Sequence, residues 1–113
     1  MKKVYFIVLT ALSLSACKPS EKDMIALGQD TVRETLKDPD SAKFESFFRE
    51  SSDGEGYVCG TINAKNSYGG YTGRSNFYVY IKVVDKKIKE HGPVIIAGEK
   101  DKVANERFRL FCS

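Results

Sequence analysis

The chain has 113 residues, with 18 basic side chains against 15 acidic ones and a net charge of +3. That length allows one small domain and leaves no room for a second core. So slight a positive excess falls short of the strongly basic face that nucleic-acid binding requires.

Met1, Lys2 and Lys3 open the chain on positive charge, Val4 to Leu14 is an uncharged and mostly apolar run of 11 residues, and Ser15 and Ala16 are small. This is the layout of a secretory signal peptide. The run is well short of the roughly 20 residues that a bilayer-crossing helix needs, so it reads as an export signal and not as a span. The four residues Leu14, Ser15, Ala16 and Cys17 resemble the lipobox of bacterial lipoproteins, which are cut just before a diacylglyceryl-modified cysteine. The resemblance implies cleavage of residues 1–16 and lipidation of Cys17. Residues 17–22 become a lipidated tether, and residues 23–113 form a single domain.

Each buried lipid methylene contributes about 0.8 kcal/mol, so the three acyl chains that such lipoproteins usually carry, a palmitate among them, hold a domain firmly on its membrane. Lys18 stands where an aspartate commonly retains enteric lipoproteins at the inner membrane, which favours the periplasmic face of the outer membrane in a host that has two. The other reading of Cys17 is an ordinary thiol behind a conventional signal peptide. Cleavage leaves 97 residues and removes Lys2 and Lys3, so that 16 basic residues face 15 acidic ones and the net charge falls to +1.

With Cys17 committed to lipid, Cys59 and Cys112 have a single possible pairing, and in an oxidising compartment two cysteines in a small domain usually form a bridge. Metal binding is the rival reading, but His91 is the one histidine and the donors are too few for an ordinary zinc site. No metal or other cofactor is expected.

Ser20 followed by Asp23 reads as a helix N-cap with an acidic third position. From there Met24, Leu27, Thr31, Val32 and Leu36 keep one-face spacing over about four turns, an amphipathic helix that ends at Asp38 and Pro39. Asp38 with Pro39 reads as the cap and first position of one short turn. Phe44 to Glu50 alternates as a strand with Phe44, Ser46 and Phe48 on one side. Residues 51–56 form a turn, and Tyr57 to Asn63 form the next strand, with Tyr57, Cys59 and Thr61 on one face and Val58 and Ile62 on the other.

Ala64 to Ser75 is a loop in which Gly69, Gly70 and Gly73 alternate with Tyr68 and Tyr71. Asn76 to Val84 is the strongest strand, aromatic and β-branched almost throughout. Lys86 to Gly92 is a charged turn, and Pro93 to Ala97 a short strand with proline at its start. Glu99 or Asp101 begins a last helix with Val103, Arg107, Leu110 and Phe111 on one face. The expected fold is therefore α+β: an N-terminal amphipathic helix, a three- to four-stranded antiparallel sheet, a C-terminal helix and one disulfide.

Asp38, Pro39, Ser41, Ala42 and Phe44, together with Cys59, Gly60, Asn63, Asn66, Gly69 and Tyr71, resemble a scattered group of small exported bacterial, phage and prophage proteins. These share a D-P-x-S-A-x-F element after a helix and a C-G-x-x-N-x-x-N-x-x-G-x-Y type element on a strand and loop. The resemblance spans about residues 23–80 and supports the fold while supplying no mechanism. Its association with phages implies a role such as interference with an envelope protein, for example in superinfection exclusion.

Physically, Asn63, Lys65, Asn66, Tyr68 and Tyr71 are the candidate contact residues of a binding loop, because flat amphipathic tyrosines amid asparagine, serine and glycine are what adaptable recognition loops use. The same residues also fit a structural loop bonded to itself, and the two descriptions can coexist. The tyrosines alternating with Phe77 and Val79 form either an exposed strip for binding or part of the core. Catalytic groups are not in evidence: His91 lies in a charged segment, and no phosphate loop, serine-centred elbow or CxxC pair occurs. The sequence thus points to a non-catalytic, lipid-anchored envelope module whose partners are the membrane and an envelope protein. A cell-wall enzyme or enzyme inhibitor is the alternative, since the chain resembles small lysozyme-inhibitor lipoproteins in size, anchor and disulfide but not in motif.

Overall fold

A computed structural model describes residues 18–113, so the signal-peptide and Cys17 readings lie outside the described residues. Helix α1 (Glu21–Arg33) starts where Ser20 Oγ accepts the Asp23 N–H at 3.1 Å. Ser20 is the cap the sequence led one to expect, and Glu21 and Lys22 already lie in the helix. The helix also ends earlier than the expected stop at Asp38. Thr35 and Leu36 make tighter bonds to the carbonyls of Val32 and Arg33, and the Thr35 hydroxyl donates to the Val32 carbonyl at 2.8 Å. A side chain that competes for the ladder in this way unwinds the last turn.

Pro39–Ser41 forms a single 3-10 turn. Asp38 precedes it without a side-chain capping bond, and the turn is closed by Ser41, whose N–H and hydroxyl both donate to the Asp38 carbonyl, at 3.1 and 2.7 Å.

Five antiparallel strands follow: β1 (Lys43–Ser52), β2 (Glu55–Asn63), β3 (Ser75–Val84), β4 (Lys87–His91) and β5 (Ile95–Ala97). The order is β1-β2-β3, with β4 and β5 sharing the far edge of β3; β4 pairs with residues 81–84 and β5 with residues 76–78. The charged segment 87–91, expected as a turn, is thus an edge strand. It follows a two-residue hairpin turn in which Asp85 (φ 53) and Lys86 (φ 66) take the left-handed conformation that matches strand twist. Only Ile88 in it packs on the core, which is why no alternation is visible in the sequence. Helix α2 (Lys102–Cys112) closes the chain, with Asp101 as its cap accepting the Ala104 N–H at 3.1 Å.

Among the described residues the two helices lie on opposite faces of the sheet, giving three layers and two cores. On the α1 face Val58, Ile62, Phe77, Val79 and Ile81 bury against Met24 and Val32, with Phe44 and Phe48 at the margin. Gly28 makes this layer close: a Cβ there would fall 2.4 Å from a Val58 methyl. On the α2 face Cys59, Tyr78 and Cys112 are buried among Phe47, Tyr57 and Phe108. The aromatic strip of β3 is therefore core at Tyr78, covered by α2.

Cys59 and Cys112 are joined in a disulfide with a Cα–Cα distance of 6.1 Å. That bond corrects the expected orientation of α2. Because Cys112 must meet Cys59, the buried stripe is Ala104, Phe108 and Cys112, and Val103 and Leu110 are left exposed. Phe111 is partly covered through a stacked contact on Tyr57 with ring centroids 4.9 Å apart.

The register fixes two poles. The β1–β2 and β3–β4 turns share one end of the sheet, tied by the Val83 N–H donating to the Gly54 carbonyl at 2.7 Å. The 64–74 loop and the 3-10 turn share the other end, where Lys43 pairs with Asn63.

Candidate binding loop

The β2–β3 connection is braced by its own side chains. Asn66 Oδ1 accepts the N–H groups of Tyr68 (2.9 Å) and Gly70 (3.2 Å), while its backbone N–H donates to the Gly70 carbonyl. Asn63 Oδ1 accepts the Gly73 N–H at 3.1 Å. Each amide supplies an acceptor to a backbone group that the turn leaves without a strand partner. Gly69 (φ 85) and Gly73 (φ 97) supply the left-handed positions, and Lys65 and Tyr71 bridge to each other as a short ladder.

The loop is also fastened to the 3-10 turn. The Lys65 N–H donates to Ser41 Oγ at 2.9 Å, and the Tyr71 hydroxyl donates to the Ser41 carbonyl at 3.1 Å. Ser41 thus connects the D-P-x-S-A element to the loop 24 and 30 residues away in sequence.

Of the five residues singled out, Asn63 and Asn66 are spent on bracing, and Lys65, Tyr68 and Tyr71 form the outward surface. Tyr68 is 96% exposed at the tip, and Tyr71 43%. Lys43 Nζ lies 4.7 Å and Lys65 Nζ 5.6 Å from the Tyr71 ring centroid, an arrangement that combines ring contact with positive charge. Neither ammonium is within ion-pair distance of a carboxylate among the described residues. The result is a fixed, cationic, aromatic end to the sheet.

Beside the loop, on the α2 face, lies an open cleft of about 580 Å³ lined by Thr61, Arg74, Asn76, Lys102, Asn105 and Arg109 among others. Asn76 Nδ2 donates to Asn105 Oδ1 at 3.0 Å across it, and Arg74 reaches Glu45 at 3.4 Å. Sequence reasoning passed over these residues. The spacing of Lys102, Glu106 and Arg109 on one face of α2 was the signal that could have found them.

At the opposite pole Lys18 Nζ lies 3.0 Å from Glu50 and 3.4 Å from Asp53. Hydrogen bonds to Glu50 and then Asp53 raise its pKa above the ordinary lysine value. On the α2 face the Tyr80 hydroxyl donates to Glu55, which pushes the phenol up to about 12 and holds the Glu55 carboxyl below its usual value. His91 sits at the exposed end of β4, a ring nitrogen 2.7 Å from the Gly92 carbonyl. Among the described residues no three His, Cys, Asp or Glu side chains converge as metal ligands.

Comparison with family models, with curated proteins and with solved structures finds no match.

Proposed function

We propose that this chain is a lipid-anchored cell-envelope protein that acts by binding an envelope protein, and that the 64–74 loop is its contact surface. The observation that carries the reading is the bracing of that loop. Asn63, Asn66 and Ser41 hold the loop backbone, and the Tyr71 hydroxyl is itself bonded, so that Tyr68, Tyr71 and Lys65 are presented from a main chain whose conformation is already set. A loop whose backbone is already fixed avoids the ordering cost of roughly 1–2 kcal/mol per residue that a floppy loop incurs on binding.

The lipobox-like Leu14 to Cys17 supports the anchor, and the D-P-x-S-A and C-G-x-x-N elements link the domain to exported phage and prophage proteins. Interference with an envelope protein, as in superinfection exclusion, is the biological role most consistent with that pairing. A photoreactive residue at position 68, activated in intact cells, is expected to trap one dominant envelope protein, whereas the same group at Lys89 on β4 is expected to trap none. Equal, diffuse labelling from both positions would remove the loop as the contact surface.

A further inference from the structure

The two poles of the sheet, taken together with the place of Cys17, define how the domain stands on its membrane. Cys17 directly precedes Lys18 in sequence. Lys18 is pinned to Glu50 and Asp53, which flank the β1–β2 turn. Pro19 and Ser20 then lead directly into α1, and Lys18, Pro19, Ser20 and Met24 line a shallow cleft against Phe48 and Gly54. The β3–β4 turn lies at the same pole, joined to Gly54 through the Val83 N–H, and exposes Lys86 and Lys87.

We infer that Lys18 clamps the lipid-bearing end of the tether to the β1–β2 turn, so that this turn and Lys86 and Lys87 of the β3–β4 hairpin face the bilayer surface. The Tyr68, Tyr71 and Lys65 end is then carried to the far side. The inference rests on the lipid-anchor reading above and specifies the surface and the kind of partner. Strand β1 has 10 residues, and at about 3.3 Å per residue it lifts the loop roughly 30 Å from the turn pole. The loop's partner is therefore a protein domain that stands off the membrane, and the headgroups of the bilayer that holds the anchor are out of its reach. Surface ion pairs are individually weak, but here the clamp has only to bias the orientation of a domain already held by its lipid, and two carboxylates share the one ammonium.

The test uses full-length protein made in a lipoprotein-competent host and reconstituted in vesicles that contain a lipid-borne fluorescence quencher. A fluorophore on a cysteine at Lys86→Cys is expected to be quenched several-fold more than one at Tyr68→Cys, the native disulfide remaining closed in both. Lys18→Glu is expected to narrow that ratio towards one. Equal or reversed quenching on lipidated protein overturns the orientation and leaves the anchor standing; an unchanged ratio in Lys18→Glu overturns the clamp. Protein that carries no lipid mass removes the anchor itself, and the orientation with it.

Discussion

Gly28 is the residue on which the spacing between α1 and the sheet depends. Its missing Cβ lets Val58 approach the helix backbone, and Gly28→Ala is expected to cost about 1–3 kcal/mol in urea unfolding, because a methyl 2.4 Å from a buried valine must move a whole helix. Asn66 has a local role of a different kind. Asn66→Ala removes the acceptor for two N–H groups, each bond contributing about 0.5–1.5 kcal/mol. Amide exchange at Tyr68 and Gly70 should accelerate while exchange in β3 is unchanged.

Tyr80 gives a pH signature. Its pKa in the folded protein is raised by Glu55, so the stability it contributes is fully present below the ordinary phenol value near 10 and is lost as pH rises towards about 12. Glu55 has the opposite sign: its lowered pKa contributes stability above the ordinary carboxylate range that is lost as pH falls through the depressed value. In an ultraviolet titration of the native protein the Tyr80 phenolate is expected to form near pH 12, and Glu55→Gln should move that step to lower pH while leaving the late titration of Tyr78, raised by burial, in place.

At the scale of elements the disulfide decides more than stability. Closing a loop of 53 residues between Cys59 and Cys112 restricts the unfolded chain by about 4 kcal/mol, less any strain. Cys112→Ser is expected to lower the urea-unfolding free energy by about 2–4 kcal/mol and to loosen α2 more than α1. The bridge also sets the rotation of α2, and this is why that helix was legible in position but not in face. The one-face spacing of Val103, Arg107, Leu110 and Phe111 promised a buried stripe, but a covalent bond to β2 selects Ala104 and Phe108.

The central strands were readable because Phe44, Phe48, Val58, Ile62, Phe77 and Val79 alternate with residues bound for the other core. Strand β4 was not, since an edge strand with one packed side chain carries no alternation. In the loop, composition showed where the backbone leaves the sheet. It left open whether Asn63 and Asn66 turn inward to the loop backbone or outward to a partner, because an asparagine amide in a glycine-rich loop suits either role until the backbone N–H groups of Tyr68, Gly70 and Gly73 are placed around it.

At the scale of the whole molecule the domain is polar in the geometric sense. Lys18 and two turns mark one end, and a braced surface of Tyr68, Tyr71, Lys43 and Lys65 marks the other, with two helices covering the faces between. On the proposed reading the braced end, and not the sheet, is the contact surface, and its role depends on what holds the opposite end. In the proposed arrangement lipid on Cys17 does so. The direct measurement is the intact mass of the protein recovered from the membrane fraction of a lipoprotein-competent host. The predicted result is a 97-residue chain beginning at Cys17 and carrying diacylglycerol with an added acyl chain; an unmodified, water-soluble mature chain would contradict it.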